Sequence, residues 1–255
     1  MFTDSHVHLT APELASQLPA VMATAQACGV RRFIVPTTSP ADWQAVSDLA
    51  KRPIDGEQIH FALGVHPWFV NDLPDNWLSQ LTDLLQQYPQ ALIGEIGLDY
   101  RKAQNHSEKQ EQQHICRLQL QLAKTLNRPV ILHNVAANAD LLALVKTEKP
   151  TAGGIVHAFS GSLEEAKQWL KLGFFIGIGS LLLNPNAKKV RLAAQHLPLE
   201  SLLLETDAPY MLPNNSNTPA NLAQIAQIVC DLRQISSAKL SAQTEANVQR
   251  LLAFA

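Results

Sequence analysis

The sequence predicts an α/β protein that folds as a single-domain (β/α)8 TIM barrel over residues 1–255. Two features indicate this fold: eight short apolar runs rich in β-branched residues, and a longer stretch of helical periodicity after each run. The length of 255 residues is typical of a barrel that forms one domain. No linker, tandem repeat or low-complexity tract interrupts the pattern, so we expect no second domain.

The eight apolar runs are the predicted strands. Their apolar residues are continuous rather than alternating, which is typical of strands buried on both faces of a parallel sheet. Eight strands that alternate with helices favour a closed barrel over an open, doubly wound sheet. No GxGxxG motif follows the first run, which argues against a dinucleotide-binding fold. The runs are residues 2–9, 32–38, 59–67, 91–99, 129–135, 154–161, 174–179 and 202–208.

Amphipathic segments between the runs are the predicted helices, because their apolar residues recur with helical period. They cover residues 13–28, 74–88, 108–126, 140–149, 163–172 and 186–195. After the eighth run, residues 219–236 and 241–254 predict two further helices that close the domain.

Composition and charge exclude several classes of protein. With 46% hydrophobic and 16% charged residues, the chain has too much apolar content to be disordered. The net charge of −2 gives no overall attraction to nucleic acid or anionic lipid. This weakens the case for a nucleic-acid partner without excluding one. There is no export signal and no apolar segment of about 18 residues, so we expect no membrane association. Cys28, Cys116 and Cys230 lie far apart without CxxC spacing, which predicts buried free thiols in a cytoplasmic protein.

Histidine and acidic residues gather at the ends of the predicted strands. In a parallel barrel every strand delivers its C-terminal end to one face, and that face carries the active site. The first run contains His6 and His8, whose i, i+2 spacing directs both side chains to the same side of a strand. The other polar strand ends are His66, Glu95, Asp99, His133, His157, Glu205 and Asp207.

An isolated His-x-His pair is more often hydrogen-bonded by loop atoms than bound to a metal. The four remaining histidines are expected to be solvent-facing or structural: His60, His106, His114 and His196. Many imidazoles and carboxylates at one rim change that interpretation. Each buried polar group left unpaired costs about 1–3 kcal/mol. Bound divalent cations would remove this penalty, so the pattern predicts a metal site.

The types of side chain indicate which metals fit. Imidazole and carboxylate ligands without thiolate suit zinc, manganese, magnesium or nickel. The lack of a cysteine ligand favours a catalytic site over a closed structural one. We predict two divalent cations per subunit with these ligands: His6, His8 and Asp207 for one, His133 and His157 for the other, and Glu95 as the bridging carboxylate.

Hydrolysis is the chemistry expected of such a site. Bound metal lowers the pKa of water from about 15.7 toward 7, which produces a metal-bridging hydroxide at neutral pH. Asp207 is placed to accept a proton from that water, so catalytic roles fall to Asp207 and to the bridging Glu95. The alternative role of Glu95 is that of a salt-bridged acid inside the barrel.

Six ordered motifs resemble those of the TatD-type metal-dependent hydrolases. They are His-x-His at residues 6–8, GVHP at 64–67, GEIGLDY at 94–100, PVILH at 129–133, HAFSGS at 157–162 and ETDAPY at 205–210. With Asn247 and Arg250 in the last predicted helix, the resemblance covers nearly the whole chain, and it is greatest to the bacterial YjjV-like branch. It implies a TIM barrel of the amidohydrolase type, the same six metal ligands, two divalent cations and hydrolysis of phosphodiester bonds in DNA.

The resemblance also implies substrate contacts, and the chain departs from the family at two places. His66 of GVHP and Arg101 after GLDY are expected to contact DNA or a small phosphodiester, with a structural role as the alternative for each. Many members carry a basic residue where this chain has Val135, and the loop of residues 211–217, around Asn214, lacks the Arg or Lys often found there. Charged contacts hold phosphodiesters. The departures therefore bear on nuclease activity and not on metal-dependent hydrolysis.

Two other functions remain compatible with the residues. The same metal centre would serve hydrolysis of a carboxylic ester or amide on a small or aminoacyl substrate, because the rim loops and not the ligands select the substrate. A noncatalytic protein that binds a metal or ligand is the second alternative. It predicts a missing ligand, and none is missing from the predicted set. No feature indicates an obligate protein partner.

Overall fold

Eight parallel strands follow one another around the sheet in chain order, in a computed structural model that describes residues 1–51 and 58–254. The Ser5 N–H, just after the first strand, donates to the carbonyl oxygen of Leu204 at 2.9 Å and joins the two edges of the sheet. This arrangement confirms the predicted (β/α)8 barrel. The strands are β1 Phe2–Asp4, β2 Val30–Pro36, β3 Gln58–Leu63, β4 Leu92–Asp99, β5 Val130–Val135, β6 Gly154–Val156, β7 Phe174–Ile178 and β8 Leu202–Leu204.

Helices alternate with these strands as the sequence predicts. The predicted helix 13–28 is divided into α1 and α2, because Pro19 lies in the first turn of α2 and cannot continue a preceding helix. The last helix begins at Ser237 instead of residue 241, because the Ser236 side chain caps it by accepting from the Lys239 N–H. The helix Trp43–Ala50 was not predicted from the sequence. The described helices are α1 Pro12–Ala15, α2 Leu18–Ala27, α3 Trp43–Ala50, α4 Trp77–Gln87, α5 His106–Leu126, α6 Asn138–Glu148, α7 Leu163–Lys171, α8 Lys188–His196, α9 Leu222–Arg233 and α10 Ser237–Leu252.

Six strands end earlier than predicted: β2 and β7 by one or two residues, and four others so early that most of the histidines and carboxylates lie just beyond a strand. β3 stops before His66, and β1, β6 and β8 stop before their own polar residues. Left-handed backbone follows within two or three residues of the ends of β6 and β8, since φ is 45° at Ala158 and 56° at Asp207. After β1, the Asp4 carboxylate accepts from the His6 N–H at 3.4 Å. Glu95 and His133 remain within β4 and β5, and the other predicted site residues occupy loops at the predicted face of the barrel.

The barrel interior and the layer between strands and helices form separate cores. Phe33 and Val35 of β2 pack in the outer layer, while Ile34 between them packs inside the barrel. The interior cluster also includes residues from the end of α10, which therefore covers the N-terminal end of the barrel. The interior cluster is Ile34, Ala62, Leu92, Ile131, Ile155, Phe175, Leu203, Val248 and Leu251.

Within the described residues, no helix combines the length and apolar character needed to cross a membrane.

The cysteines follow the prediction in part. Cys116 and Cys230 are buried and unpaired, as expected. Cys28 is exposed, so the prediction of a buried thiol there was wrong. The residue is the C-terminal cap of α2, where the helix ends and no longer presents a side to the core.

Gly97 allows β4 to pass β5 beside the site. Its φ is 142°, and a Cβ there would lie 2.0 Å from the carbonyl oxygen of His133. We expect Gly97→Ala to lower the free energy of unfolding by about 2–4 kcal/mol, since backbone strain and overpacking each cost about 1–3 kcal/mol. Chemical denaturation followed by circular dichroism measures the loss. Gly29→Ala is the control, because Gly29 also has positive φ but has no atom near an added Cβ. Equal losses in both variants would contradict the steric contribution.

Candidate metal centre

Two imidazoles meet immediately after β1. The Nε2 atoms of His6 and His8 lie 3.2 Å apart, as the His-x-His spacing predicts, although neither residue belongs to the strand. Backbone hydrogen bonds fix this segment: the Val7 N–H donates to Ile34 at 3.2 Å, and the His8 N–H donates to Ala208 at 2.8 Å. Both imidazoles are buried. Their convergence therefore depends on neighbouring strands on both sides.

The carboxylate of Glu95 lies among the histidines. Its Oε2 is 3.2 Å from His6 Nε2 and 3.6 Å from His8 Nε2. Its Oε1 is 2.7 Å from both His133 Nδ1 and His157 Nε2. The rings of His6 and His157 stack with their centres 3.9 Å apart, so the two groups of imidazoles adjoin. One buried carboxylate thus presents an oxygen to each group.

Asp207 completes the first group. Its Oδ1 is 3.6 Å from His6 Nε2 and 3.4 Å from His8 Nε2. Every side chain predicted as a ligand is brought into this one cluster. Across residues 1–51 and 58–254, three sets of side chains have ligand atoms close enough to hold an ion: His6, Glu95 and His157; His6, His8 and Asp207; and His66, Glu95 and His133.

His66 lies at the cluster itself and not only at the substrate side. Its Nε2 is 3.3 Å from Glu95 Oε1, and its Nδ1 accepts a hydrogen bond from the Trp68 N–H at 3.1 Å. A neutral ring that accepts at Nδ1 carries its proton on Nε2. In this tautomer Nε2 is a hydrogen-bond donor and has no lone pair for a metal. The geometry therefore distinguishes His66 from the other four imidazoles.

Asp99 belongs to the site, although the sequence analysis gave it no role beyond ending a strand. Its Oδ2 lies 3.4 Å from His133 Nε2 and accepts from Trp68 Nε1–H at 2.7 Å. Asp99 thereby orients the His133 ring from the side away from Glu95. The spacing of four residues between Glu95 and Asp99 within β4 was the available signal, because such residues share a face of a strand. Arg101 contributes its N–H to Asp99 Oδ1 at 2.9 Å, and its side chain is exposed.

Asp4 is a second residue that sequence reasoning missed. It is fully buried and accepts hydrogen bonds from the Thr206 N–H at 2.9 Å and the Thr206 hydroxyl at 2.6 Å. Burial raises the pKa of the Asp4 carboxyl well above its ordinary value. Together with its contact to the His6 N–H, the residue ties the loop after β1 to the loop after β8. Its position directly before the His-x-His segment was the sequence signal.

Glu205 supports the loop after β6. Its Oε1 accepts from the N–H of Ala158, the residue that follows His157. The carboxyl packs against β7, where a Cβ on Gly177 would lie 2.3 Å from it. Burial raises the pKa of Glu205 to about 7. The residue thus holds the backbone beside an imidazole of the cluster, whereas the sequence analysis named it only as a strand end.

The cluster is strongly polarised. Burial alone would raise the pKa of Glu95, but the facing imidazoles, His157 first among them, hold it well below its ordinary value. Burial lowers the pKa of His6 to about 4. Burial would also lower the pKa of His157, but the Glu95 carboxylate raises it to about 9. Negative charge is therefore favoured at the centre of this buried cluster.

These donors fit divalent cations. Neutral imidazole nitrogen and carboxylate oxygen are ligands that zinc, manganese and nickel accept, and no thiolate is present to close the site. His6 Nε2 has another imidazole nitrogen and two carboxylate oxygens within 3.6 Å, which is more acceptors than one ring proton can satisfy. Cations in place of that proton would satisfy these atoms together.

Comparison with known proteins decides the family. The sequence model described as TatD related DNase matches residues 3–253. The chain belongs to the TatD family. It is a metal-dependent hydrolase with the TIM-barrel fold of that family, as the resemblance of its motifs implied.

Individual TatD-family relatives agree with this assignment. The chain is 36% identical to the uncharacterized metal-dependent hydrolase YjjV of Escherichia coli K12, over 91% of this chain and 90% of that protein. It is 32% identical to the 3′-5′ ssDNA/RNA exonuclease TatD of Edwardsiella piscicida, over 99% of both chains. The crystal structure of E. coli YjjV superimposes with a TM-score of 0.90 at 33% identity, covering 98% of this chain and 97% of that chain.

Proposed function

We propose that this protein is a two-metal phosphodiesterase that hydrolyses single-stranded DNA. The observation that carries the proposal is the position of Glu95, whose two oxygens face two adjoining groups of imidazoles within 3.6 Å. A carboxylate so placed fits the bridge of a two-metal site. Zinc, magnesium, manganese and nickel all suit these ligands. The proposed ligands are His6, His8, Glu95, His133, His157 and Asp207.

The side chains of the cluster divide the chemistry among them. When bound, the divalent cations would lower the pKa of water and polarise the phosphoryl oxygens. Asp207 uses Oδ1 toward His6 and His8, which leaves its Oδ2 to accept the proton of the attacking water. His66 Nε2–H faces Glu95 Oε1 at 3.3 Å; with a cation on that oxygen, it would become available as a donor for a phosphoryl oxygen of the substrate. Water and a phosphodiester yield a phosphomonoester and an alcohol, and the proton held by Asp207 passes to the leaving alkoxide.

Cationic side chains of the rim support an anionic substrate. Val135 and residues 211–217 supply no positive charge, as the sequence indicated. Lys189 instead lines a cleft of about 360 Å³ that has His157 in its wall. Arg101 and Lys102 are exposed in the loop after β4. The relative from Edwardsiella piscicida is named as an exonuclease for single-stranded DNA and RNA, which supports the same class of substrate here.

Lys189→Ala is expected to raise KM for single-stranded DNA by about 3- to 10-fold and to reduce the slope of log KM against log salt concentration by about one. The reason is the loss of one phosphate contact beside His157. Lys188→Ala is the matched control, because Lys188 is adjacent, equally charged and exposed but does not line the cleft. Steady-state kinetics at several salt concentrations measure both. The same change in both variants would show that general charge, and not this cleft, attracts the substrate.

A second candidate is hydrolysis of a carboxylic ester or amide. The uncharged side chain of Val135 beside the metal centre favours it, because a neutral substrate needs no cation there. The metal-loaded protein should be incubated with single-stranded DNA, bis(4-nitrophenyl) phosphate and 4-nitrophenyl acetate. Turnover of both phosphodiesters is expected. Turnover of the acetate alone would overturn the nuclease proposal, and no turnover with metal bound would indicate a noncatalytic binder.

We further propose that residues 1–255 form one catalytic domain that acts in the cytoplasm without an obligate protein partner. All described strands belong to one sheet, which supports the single domain. The unpaired thiols of Cys116 and Cys230 support a reducing compartment. Size-exclusion chromatography with light scattering, together with the kinetics of the purified chain, tests whether the protein acts alone.

A further inference from the structure

Two pairs of large apolar side chains are exposed around the mouth of the metal centre. Trp68 and Phe69 follow β3 with 51% and 37% of their surface exposed, and Tyr210 and Met211 follow β8 with 41% and 43% exposed. Among the described residues, the remaining large exposed apolar side chains are Met1 and Leu192, outside these loops. Both loops that flank the cluster therefore present aromatic surface to solvent.

Trp68 is held rigidly even though half of it is exposed. Its indole Nε1–H donates to Asp99 Oδ2 at 2.7 Å, and its backbone N–H donates to His66 Nδ1 at 3.1 Å. The Lys102 ammonium lies 4.5 Å from the centre of the indole ring. The ammonium covers one face of the ring, so a base would stack on the other face with the cation near its phosphate. A fixed ring favours such stacking, because few additional groups are then ordered.

Tyr210 is fixed in a similar way on the other side of the cluster. Its ring lies with its centre 5.3 Å from that of His8, at an angle of 64°. Its backbone N–H donates to the backbone carbonyl oxygen of Asp207 at 2.9 Å, and its own carbonyl oxygen accepts from Asn217 Nδ2–H at 2.8 Å. The exposed phenol ring is thus mounted directly against the group formed by His8 and Asp207.

The two aromatic rings contact residues that face different oxygens of the Glu95 carboxylate. Trp68 contacts His66 and Asp99, which lie on the side of Glu95 Oε1 with His133. Tyr210 contacts His8, which lies on the side of Glu95 Oε2. A phosphodiester bound over Glu95 would therefore have one ring on each side of it.

We propose that Trp68 and Tyr210 stack the two nucleobases that flank the scissile phosphate, and that this makes the enzyme selective for single strands. The inference rests on the proposed nuclease function and deepens it. Base–aromatic stacking is tolerant of sequence, because every base has a π face. Bases inside a duplex are already stacked and paired, so they cannot reach either ring without the cost of leaving the helix.

The test compares Trp68→Ala and Tyr210→Ala with the wild-type, metal-loaded protein. Substrates are a single-stranded oligonucleotide, its duplex, and methyl 4-nitrophenyl phosphate, which has no base. Each variant is expected to raise KM for the single strand by about 10-fold or more, the change typical of one lost stack. The single-strand preference over duplex should fall by a similar factor. Any change in kcat/KM for the small phosphodiester should be the same in Trp68→Ala as in Trp68→Phe, because both variants lose the hydrogen bond to Asp99.

Ring-conserving variants separate stacking from anchoring. Trp68→Phe keeps an aromatic face but loses the hydrogen bond to Asp99, and Tyr210→Phe keeps the whole ring. Both should retain KM for the single strand within about threefold of wild type. Leu192→Ala, which removes an exposed apolar side chain elsewhere, should have no effect. If Trp68→Phe is as impaired as Trp68→Ala, the hydrogen bond to Asp99 explains the effect and stacking at Trp68 is overturned.

Binding measurements distinguish this inference from the proposed nuclease function. Fluorescence anisotropy of a labelled single strand is measured with Asp207→Asn, alone and combined with Trp68→Ala or Tyr210→Ala. If the single strand binds in a way that depends on Trp68 and Tyr210 but the wild type does not hydrolyse it, the nuclease proposal is contradicted and the stacking proposal stands. Hydrolysis that is insensitive to both alanine variants would sink the stacking alone. If light scattering shows a dimer that dissociates in both alanine variants, the exposed rings of Trp68 and Tyr210 bind a second copy of the chain instead of nucleobases, and the stacking proposal is contradicted.

Discussion

Glu95→Gln is expected to lower kcat/KM for phosphodiesters by about 1,000-fold or more, because metal stabilisation of charge is worth several kcal/mol and each 1.4 kcal/mol is a factor of ten. The substitution removes the negative charge and replaces one oxygen by an amide nitrogen that cannot ligate. Since the two oxygens face different groups of imidazoles, either orientation of the amide leaves one group without its carboxylate. Kinetics with bis(4-nitrophenyl) phosphate and elemental analysis of the gel-filtered protein measure both consequences.

Metal content should fall together with activity. With two cations bound as proposed, we expect Glu95→Gln to lower the metal content to about one or fewer per chain, because metal affinity depends on the number and charge of the ligands. Glu200→Gln is the control, since Glu200 is an exposed acid just before β8, at the other end of the barrel. Far-UV circular dichroism checks that both variants fold. Wild-type activity and wild-type metal content in Glu95→Gln would contradict the two-metal site.

The barrel and the gathering of its ligands were predictable because both follow from rules that do not depend on detail. Parallel strands place their C-terminal ends at one face whatever the side chains are. His6 and His157 are separated by most of the chain, yet their rings stack at 3.9 Å. The prediction that each residue follows a buried strand was sufficient to place both at the same face of the barrel. Their exact partners were not needed for that step.

The roles of the supporting residues depend on tertiary contacts that the local sequence does not encode. The proton position on His66 follows from the backbone N–H of Trp68, which reaches Nδ1 only because the chain turns after His66. Asp99 orients His133 across two strands, and the register between them places those residues near each other. Strand periodicity predicts which residues lie on the same face of a strand. It does not predict which atom of a side chain accepts a hydrogen bond.

Strand ends and helix ends were the weakest predictions for a related reason. Ala158 and Asp207 have positive φ, and neither residue type signals left-handed backbone as glycine does. Hydrogen bonds from neighbouring loops hold them there: the Ala158 N–H donates to Glu205, and the Asp207 N–H donates to the carbonyl oxygen of His6. Cys28 was predicted as buried because helical periodicity continues to that position, although the helix itself has ended.

Asp207→Asn is expected to lower kcat by about 100- to 10,000-fold with little change in KM, which is the contribution of a positioned general base. Asp207 differs from Glu95 in its contacts. Its contacts with His6 and His8 are made by Oδ1, and 12% of its side chain remains exposed, which leaves Oδ2 to meet a water molecule. Asparagine keeps an oxygen that can ligate but cannot accept the proton. Kinetics with bis(4-nitrophenyl) phosphate and metal analysis of the same preparation measure this prediction.

The combination of results separates proton transfer from metal binding at Asp207. Loss of kcat with metal content close to wild type supports the base, because the amide oxygen still completes the first group. Loss of both in equal measure would make Asp207 a ligand only, and a raised KM with unchanged kcat would make it a substrate contact. Asp231→Asn, on the exposed side of α9, is the matched control and should retain both quantities. Comparison with Glu95→Gln then tests whether the two carboxylates act differently, because only the bridging one should lower metal content strongly.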